Sequence, residues 1–471
     1  MRHGLRPLGV FLAMAASLGG CAVGPDYARP AVEVPAAYRQ SIASAQEVSD
    51  AAWWKQFGDP VLDALIAEAM AGNYSLKIAL ANVETASSIL TQQQSALYPQ
   101  VGYEGKGQRR HVSGEPQVNG LPMDLSGTRS SYSLMLGASW ELDLWGRVRR
   151  LSESAQANID ASEAARRGVV LSVVGSVANG YIQLRSLDEQ LVIAKRTLAT
   201  YAEAVRLFEL QFKYGQISLV TLQQSRSQYQ AAAAVIPQIE NNIAVTENAL
   251  SALLGRNPGP ITRGKSLAEL TAPTVPTGLP SQLLERRPDI AQAEQQLVSA
   301  NALIGAAKAQ YFPTISLTGA LGNSSSQLSN LISGGTFSSS LGASISGPLF
   351  TGGAISGQVD QAESQKKAAV FNYLSVVQSA FADVNNALVG RIQLSEQVAA
   401  EKLRVDALAD TVRLSSLRYD GGYTDYLSVL YAQQQLLPGE LTYAQDLGQS
   451  LSAVVKIYMA MGGSWVDAAA R

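Results

Sequence analysis

The sequence predicts an internally duplicated α+β chain, with four β-strands and long coiled-coil-like helices. Three observations lead there. The stretch from about Arg147 to Tyr214 contains no proline, and none follows until Pro237. Within it Val177, Leu184, Leu191, Leu198, Val205 and Phe212 recur every seven residues, and Leu187, Ala194, Tyr201 and Phe208 sit three positions after members of that series. A hydrophobic period of 3.5 specifies helices that supercoil around their neighbours. At about 1.5 Å per residue such a helix is roughly 100 Å long.

The second observation is recurrence. Val177 and Val384, Leu191 and Val398, Leu198 and Val405, Val205 and Val412, and Phe212 and Tyr419 pair at one offset, with the heptad register kept. Leu184 alone meets a misfit, Arg391. Gly137-Ala138-Ser139 returns as Gly342-Ala343-Ser344, Tyr98-Pro99 as Phe312-Pro313, and Leu254-Gly255 as Met461-Gly462. Phe212-Lys213-Tyr214-Gly215 is set against Leu417-Arg418-Tyr419-Asp420-Gly421. Agreement in order, spacing and register marks a duplication.

The third is strict alternation. Tyr132, Leu134, Leu136, Ala138, Trp140, Leu142 and Leu144 share one face, and Ser131, Ser133, Gly137, Ser139, Glu141 and Asp143 the other, with Met135 the exception. A preceding strand near Val101 to Arg109 puts Val101 and Tyr103 outward, and Glu104, Lys106 and Gln108 inward. In the second half Ile315, Leu317 and Leu321 oppose Thr314, Ser316 and Thr318. Phe337, Leu341, Ala343 and Ile345 oppose Ser338, Ser340, Ser344 and Ser346. Period two with one apolar face is a half-buried strand or one that faces lipid.

In chain order, residues 1–20 read as a signal peptide. Arg2 and Arg6 flank an apolar run, Leu8 to Leu18, which is too short to span a bilayer. Leu18-Gly19-Gly20-Cys21 resembles the lipobox of bacterial lipoproteins, which implies cleavage before Cys21 and its acylation. Cys21 is the only cysteine, which excludes a disulfide framework. Residues 21–58 read as a lipidated, proline-containing tether. The first repeat, 59–270, opens on Asp59 as N-cap and Pro60 at N1. It continues with a helix from about Asn73 to Leu97, a hairpin over 101–144 and a long helix pair over 147–255. A linker, 271–286, leads to the second repeat, 287–463, with its hairpin over 314–346 and helix pair over 354–462. Pro237 and Pro438 should bend the shorter helices locally. Residues 464–471 form a tail.

Composition bounds the function. Hydrophobic residues make up 46%, charged residues 16%, and the formal charge is −2, which gives no electrostatic footprint for nucleic acid. No apolar run is long enough for a transmembrane helix, so a membrane crossing must use strands. Four strands cannot close around a lumen, and unpaired edges are not tolerated in lipid. Several copies must then share one barrel. Two give eight strands with a packed interior, and three give twelve with room for a channel.

No catalytic set competes. The two histidines are His3, in the signal, and His111, in an expected external loop, and neither joins a metal-ligand cluster. Gly334-Gly335 and Gly352-Gly353 read as turns, and the serine-rich stretch Ser324 to Ser340 as a loop without a nucleophile motif. We expect no enzyme and no cofactor beyond covalent lipid on Cys21.

Cys21 with Gly24-Pro25-Asp26-Tyr27, the segment Trp53-Trp54 to Pro60, and Glu285-Arg286-Arg287-Pro288-Asp289-Ile290 resemble the outer-membrane factors of tripartite efflux systems. So do Arg418-Tyr419, Gly421-Gly422, Tyr426-Leu427, Ala432-Gln433 and the ending Tyr458 to Trp465. The resemblance is to the TolC/OprM-type channels, in the lipoprotein (NodT-like) branch, and covers essentially the whole mature chain. It implies a homotrimer with a twelve-strand outer-membrane barrel on a twelve-helix periplasmic barrel. It also implies a periplasmic adaptor (membrane fusion protein), an inner-membrane pump of the resistance-nodulation-division (RND) class, and passive export of small molecules such as drugs and toxic compounds. The location implied is the bacterial outer membrane, lipid-anchored and reaching into the periplasm. Other readings are an adaptor or structural lipoprotein bridging membranes, and a channel for polypeptide secretion.

The far ends of the long helices carry the site. Tyr214-Gly215 and Gly421-Gly422 form tight turns suited to adaptor docking. Around the second turn cluster Arg418, Tyr419, Asp420, Tyr423, Asp425 and Tyr431. The resemblance places Arg418 and Tyr419 in a closing network and Leu427 in an apolar constriction. At Leu430-Tyr431-Ala432-Gln433 the sequence departs from the family's common Leu-Asp-Ala-Gln, so Tyr431 stands where an acidic ring is usual.

Overall fold

A computed structural model describes residues 22–35, 38, 52–112, 117–118, 121–122, 127–273, 275, 280–333 and 335–463. The signal segment, Cys21 and the tail 464–471 lie outside the described residues. A 3₁₀ turn, Trp53–Phe57, precedes α1 (Pro60–Gly72) and α2 (Tyr74–Ser95). Then come β1 (Gln100–Val112), β2 (Gly127–Leu142), α3 (Arg147–Lys213) and α4 (Leu219–Leu253). After a 3₁₀ turn at Leu267–Glu269 and the short α5 (Pro280–Arg286), α6 (Pro288–Ala309) opens the second repeat. It continues through β3 (Thr314–Ser325), β4 (Phe337–Ser346), α7 (Ala354–Asp420) and α8 (Tyr426–Ala460).

The repeats agree helix for helix. α2 and α6 each have 22 residues, α3 and α7 each 67, and α4 and α8 each 35. Both long helices start and stop 207 residues apart, 147 against 354 and 213 against 420. The prolines break this equivalence, since Pro237 and Pro438 are not 207 apart, and both helices run on through them.

Spatially the chain divides into two compact units that cut across the repeats. Of the described residues, one comprises those within 22–30, 83–161 and 294–372, and the other those within 31–82, 162–293 and 373–463.

The first unit contains the sheet, antiparallel in the order β1-β2-β3-β4. Its register is what makes the alternation cooperative. Tyr103 faces Leu136, Trp140 faces Leu317, and Leu317 faces Ala343, so every strand turns its apolar residues to one side. That side is bare: Tyr103 is 85% exposed, Leu341 91% and Ile345 71%. The opposite side carries Glu104, Ser133, Ser139, Thr318, Ser316 and Ser344 at matched positions. β1 and β4 are the outer strands and have no second partner among the described residues.

Two loop expectations are corrected here. His111 lies within β1, opposite Thr128, with Nδ1 3.0 Å from Thr128 Oγ1. Ser324 and Ser325 belong to β3 and Ser338 to Ser340 to β4, so the loop shrinks to 326–336. At the end of β1 and of β3 backbone pairing carries the hairpin past the point where side chains alternate, and Ser338 and Ser340 keep the strand positions that alternation assigns them. A short ribbon pairing Gln117–Val118 with Leu121–Pro122 also adds to the expected four strands.

Where sheet passes into helix, Trp140 Nε1 donates to the Leu97 carbonyl (2.9 Å) and Trp145 Nε1 to the Pro313 carbonyl (2.7 Å). Trp145 also stacks on Phe312, with centroids 4.6 Å apart. The Asp143 carboxylate accepts from the Val148 and Arg149 amides, satisfying orphan donors at the start of α3. The tether docks beside this junction. Val23 N donates to the Trp145 carbonyl, Arg150 reaches Val23, Gly24 and Asp26, and Asn301 Nδ2 donates to the Pro25 carbonyl. Tyr27 and Arg29 both donate to Glu294. Gly24, at φ 106°, lies so close to Gly305 that a Cβ on Gly24 would meet the Gly305 Cα at 2.4 Å. The Gly-Pro-Asp-Tyr motif is thus a backbone-on-helix contact.

The second unit holds the main core. Trp53 is fully buried and stacks on Tyr458, 4.7 Å between centroids. Around them pack Phe57, Leu62, Ile66, Val177, Tyr181, Leu184, Leu250 and Val454. Asp59 caps α1 as expected, accepting from Val61 N at 2.9 Å. It is itself buried, and accepts further from Tyr181 Oη at 2.6 Å and Lys265 N at 2.9 Å. Asn73 caps α2 through Ser75 N and Leu76 N, and its Nδ2 donates to the Leu253 carbonyl. The Arg-Arg-Pro-Asp motif is structural as well. Arg287 donates to Asp289, Asp383 and the Ala460 carbonyl, binding the start of α6 to α7 and α8.

Candidate functional site at the helix turns

In the second unit the turns after α3 and α7 repeat one geometry. Gly215 has φ 74° and Gly422 φ 73°, left-handed values that glycine adopts without a Cβ penalty. Gln216 N bonds the Gln211 carbonyl (2.8 Å), and Tyr423 N bonds the Arg418 carbonyl (2.8 Å). Gly215 N bonds Phe212 O and Gly422 N bonds Tyr419 O, both at 2.9 Å. These are paired Schellman closures. They also correct the alignment of the two turns. Gly422, not Gly421, is the counterpart of Gly215, and Gly421 answers to Tyr214. Gly421 is small for another reason, since a Cβ there would come within 2.9 Å of the Tyr423 ring.

The sequence-derived site residues divide into two groups. Tyr419 and Leu427 pack inward. The Tyr419 ring meets Tyr426 edge-on at 5.2 Å, Tyr426 meets Phe208 edge-on at 4.2 Å, and Leu427 packs on the same cluster with Leu222, Val429 and Leu430. This links α3, α4, α7 and α8 at their turn ends. Burial drives the Tyr426 hydroxyl up to about 12, with smaller contributions from the neighbouring Tyr201 and Tyr419. It therefore stays neutral throughout the physiological range.

The second group faces outward. Arg418, Asp420, Tyr423 and Tyr431 are exposed, as is Tyr214 at the first turn. Among the described residues Arg418 makes no ion pair within its own chain. Asp425 is the N-cap of α8, accepting from Ser428 N and Ser428 Oγ, so its carboxylate is occupied. Arg413 pairs with Asp410 on its own helix. Sequence reasoning missed Phe208 and Tyr426 as a contact. Phe208 was visible as a heptad residue and Tyr426 as a motif residue, but nothing local joins positions so distant in sequence.

Further along α7, Arg391 occupies the place that Leu184 holds in the first repeat. It is half-buried and donates to Ser450 Oγ, with no carboxylate partner among the described residues, and burial lowers its pKa from the usual arginine value. Asp446 on α8 is buried and accepts from Gln397 Nε2 at 2.8 Å. A polar layer therefore interrupts the α7–α8 seam where the first repeat has Leu184 and Ile239, both buried. Among the described residues no group of three acidic, histidine or cysteine side chains could hold a metal ion. No described helix is long and apolar enough to cross a membrane.

Comparison with known proteins gives a consistent result. The profile of the family described as outer membrane efflux protein matches residues 65–256 and 279–463, one segment in each repeat. The chain is 35% identical over 458 residues to the probable efflux pump outer membrane protein TtgC of Pseudomonas putida, covering 96% of this chain and 94% of that one. It is 32% identical to the cation efflux system protein CusC of Escherichia coli, covering 96% and 97% of the two chains. Its fold is similar to the outer-membrane channel MtrE of Neisseria gonorrhoeae, crystallised in its open state, with a TM-score of 0.83, 32% identity and coverage of 94% and 98%.

Proposed function

Because the chain belongs to the outer membrane efflux protein family, we propose that three copies close their four-stranded sheets into one twelve-strand barrel across the outer membrane. One observation carries this reading: a sheet that is apolar and exposed on one face, polar on the other, with both outer edges unpaired. In hydrocarbon every backbone donor and acceptor must be satisfied, so β1 and β4 need strands from other copies. Twelve strands leave an aqueous lumen, which eight do not. The protein is an outer-membrane efflux channel, and the lumen is its export path.

We assign it a passive role. The polar sheet face is mostly serine, threonine and glycine, which offer few selective contacts, so the cargo is chosen by the pump that feeds the channel. Small toxic compounds fit this role, in keeping with relatives named for efflux pumps and for cation efflux. The partners are a periplasmic adaptor, which engages the turns at Tyr214-Gly215 and Gly421-Gly422, and an inner-membrane pump of the RND class.

Cys21 carries the lipid in this reading. Its neighbour Ala22 is seated against Gly146, where a Cβ would meet the Ala22 Cα at 2.8 Å, beside the sheet-to-helix junction. Acyl chains there would enter the leaflet that the sheet already occupies.

The gate is formed by Arg418, Tyr419, Asp420, Tyr423, Asp425, Leu427 and Tyr431. Arg418, Asp420, Tyr423 and Tyr431 are exposed in one chain and meet their counterparts from the other copies. Tyr419 and Leu427 anchor that ring to the core of their own chain, and Asp425 holds the turn in shape.

The decisive experiment is planar-bilayer recording with purified protein, alongside its mass in detergent. Discrete conductance steps from a species of three chains are expected. A stable monomer without conductance would leave only the membrane-bridging reading.

A further inference from the structure

We propose that the loop end of the sheet carries an anion-binding site, built by Arg110 and Arg129, that draws small anions to the mouth of the channel. The inference rests on the reading that several copies share one barrel around a lumen.

β1 and β2 set Arg110 directly opposite Arg129. Both belong to the polar face, because their pairing continues the series Glu104–Met135, Lys106–Ser133 and Gln108–Ser131 at every second position. Arg109 and His111 fall on the other face, opposite Ser130 and Thr128, where they end the apolar band. Opposed residues on one face have Cβ atoms about 4.5–5.5 Å apart, and like charges in that position repel. Pairing with β3 begins only at Tyr132, so the two arginines stand on a two-stranded extension beyond the body of the sheet. Both are exposed.

Among the described residues no acid forms an ion pair with Arg110, Arg129 or Lys106. The acidic groups of this face, Glu104 and Glu141, lie toward the helix end of the strands, and Glu141 is held by Arg147 at 3.0 Å. β3 and β4 add only serine, threonine, alanine and glycine to the face. Charge is therefore sorted along the strands, negative toward the helices and positive toward the connecting loop.

An anion seated between the two guanidiniums relieves their repulsion. Each offers a planar fork of donors that matches an oxyanion, so phosphate-like and sulfate-like groups fit best and chloride fits as a point charge. Three copies around one axis place six guanidiniums at the rim. Rings of arginine or lysine are what anion-conducting pores use. Such a ring raises the local concentration of anions and lowers that of cations. At 0.1 M salt the Debye length is about 10 Å and the charges act jointly, whereas at 1 M it falls to about 3 Å and they act singly. Cargo is still chosen by the pump. The ring acts at the exit, where it favours departing anions and keeps external cationic compounds from re-entering.

Planar-bilayer recording of the full-length protein tests this, with a KCl gradient and inorganic tripolyphosphate as the probe. Tripolyphosphate should interrupt the parent's current from one side of the bilayer only. Arg110→Gln combined with Arg129→Gln should lower the frequency of those interruptions by about tenfold or more. It should also move the reversal potential toward that of potassium in dilute salt, with the difference vanishing near 1 M. Either single substitution should give an intermediate shift. Arg110→Lys with Arg129→Lys keeps the charge, and should keep the parent's reversal potential while binding tripolyphosphate less well. Interruptions and reversal potential unchanged in the double glutamine variant would overturn the site while leaving the channel intact. A parent that runs as one chain and does not conduct would overturn the shared barrel itself.

Discussion

Asp59 shows how one residue ties several layers together. It caps α1, and the carboxylate buried by that task then accepts from Tyr181 on α3 and from the backbone at Lys265. Burial, and next the Asp59 contact, raise the Tyr181 pKa well above the ordinary tyrosine value near 10. The sign follows from proton counting. Above about pH 10 the unfolded chain releases this proton while the folded chain keeps it, so stability is complete below that pH and falls as pH rises above it. Tyr181→Phe should cost about 1–3 kcal/mol, because Asp59 and the Gly264 amide each lose a partner. It should also flatten that alkaline slope, as thermal melting of the detergent-solubilised protein at a series of pH values would register. At this scale the sequence was partly legible. Asp59-Pro60 announces a helix start by local rules, whereas its bond to Tyr181 depends on two segments meeting and has no local trace. Arg391 was visible as an error in a column of aliphatics, and its partner Ser450 was not.

At the scale of elements, heptads and alternation exposed nearly everything that is regular. The long helices were readable because an apolar seam must recur at 3.5 residues to stay facing its neighbour. The strand ends were not. Gln108, Arg109, Arg110 and His111 are polar on both faces, so alternation stops although the ladder continues to Val112. The turns are legible from their glycines, but local spacing sets Gly421 against Gly215, whereas the backbone hydrogen bonds give that place to Gly422. The aromatic cluster of Phe208, Tyr419 and Tyr426 gives the proposed gate its mechanical base, and Arg418 supplies charge at its open side. Exposed ion pairs contribute only about 0–1 kcal/mol each, so a closed ring needs several acting together. Arg418→Ala combined with Tyr419→Phe should therefore raise basal single-channel conductance while the oligomer persists. Conductance unchanged from the parent would remove these residues from the gate.

For the whole molecule, the two faces of the sheet make opposite demands. Leu321 lies on the apolar face and Ala320, next to it, on the polar face. Leu321→Arg should destabilise membrane insertion by about 2–4 kcal/mol if it sits near the bilayer centre, and lower the yield of inserted protein. Ala320→Arg should insert normally and change conductance, since its charge enters the lumen. Equal loss of insertion for both would mean the sheet does not separate lipid from water. Anchoring adds a second test. In this reading insertion of the closed sheet holds the protein in the membrane independently of the lipid, so Cys21→Ser with a cleavable signal should still give inserted oligomer, detected in the outer-membrane fraction. Fully soluble monomer would count against the barrel.

The equal lengths of the paired helices, 67 with 67 and 35 with 35, constrain how such a chain can change. Inserting one heptad into α3 alone would lengthen it by about 10 Å and leave its turn beyond the reach of Tyr426. The same insertion would have to appear in α7, and matching ones in α4 and α8, before Phe208 and Tyr426 met again. Length here behaves as a single inherited dimension, a gauge cut twice from one template. A lineage facing a deeper periplasm could alter it only in whole heptads, and only by editing both copies together.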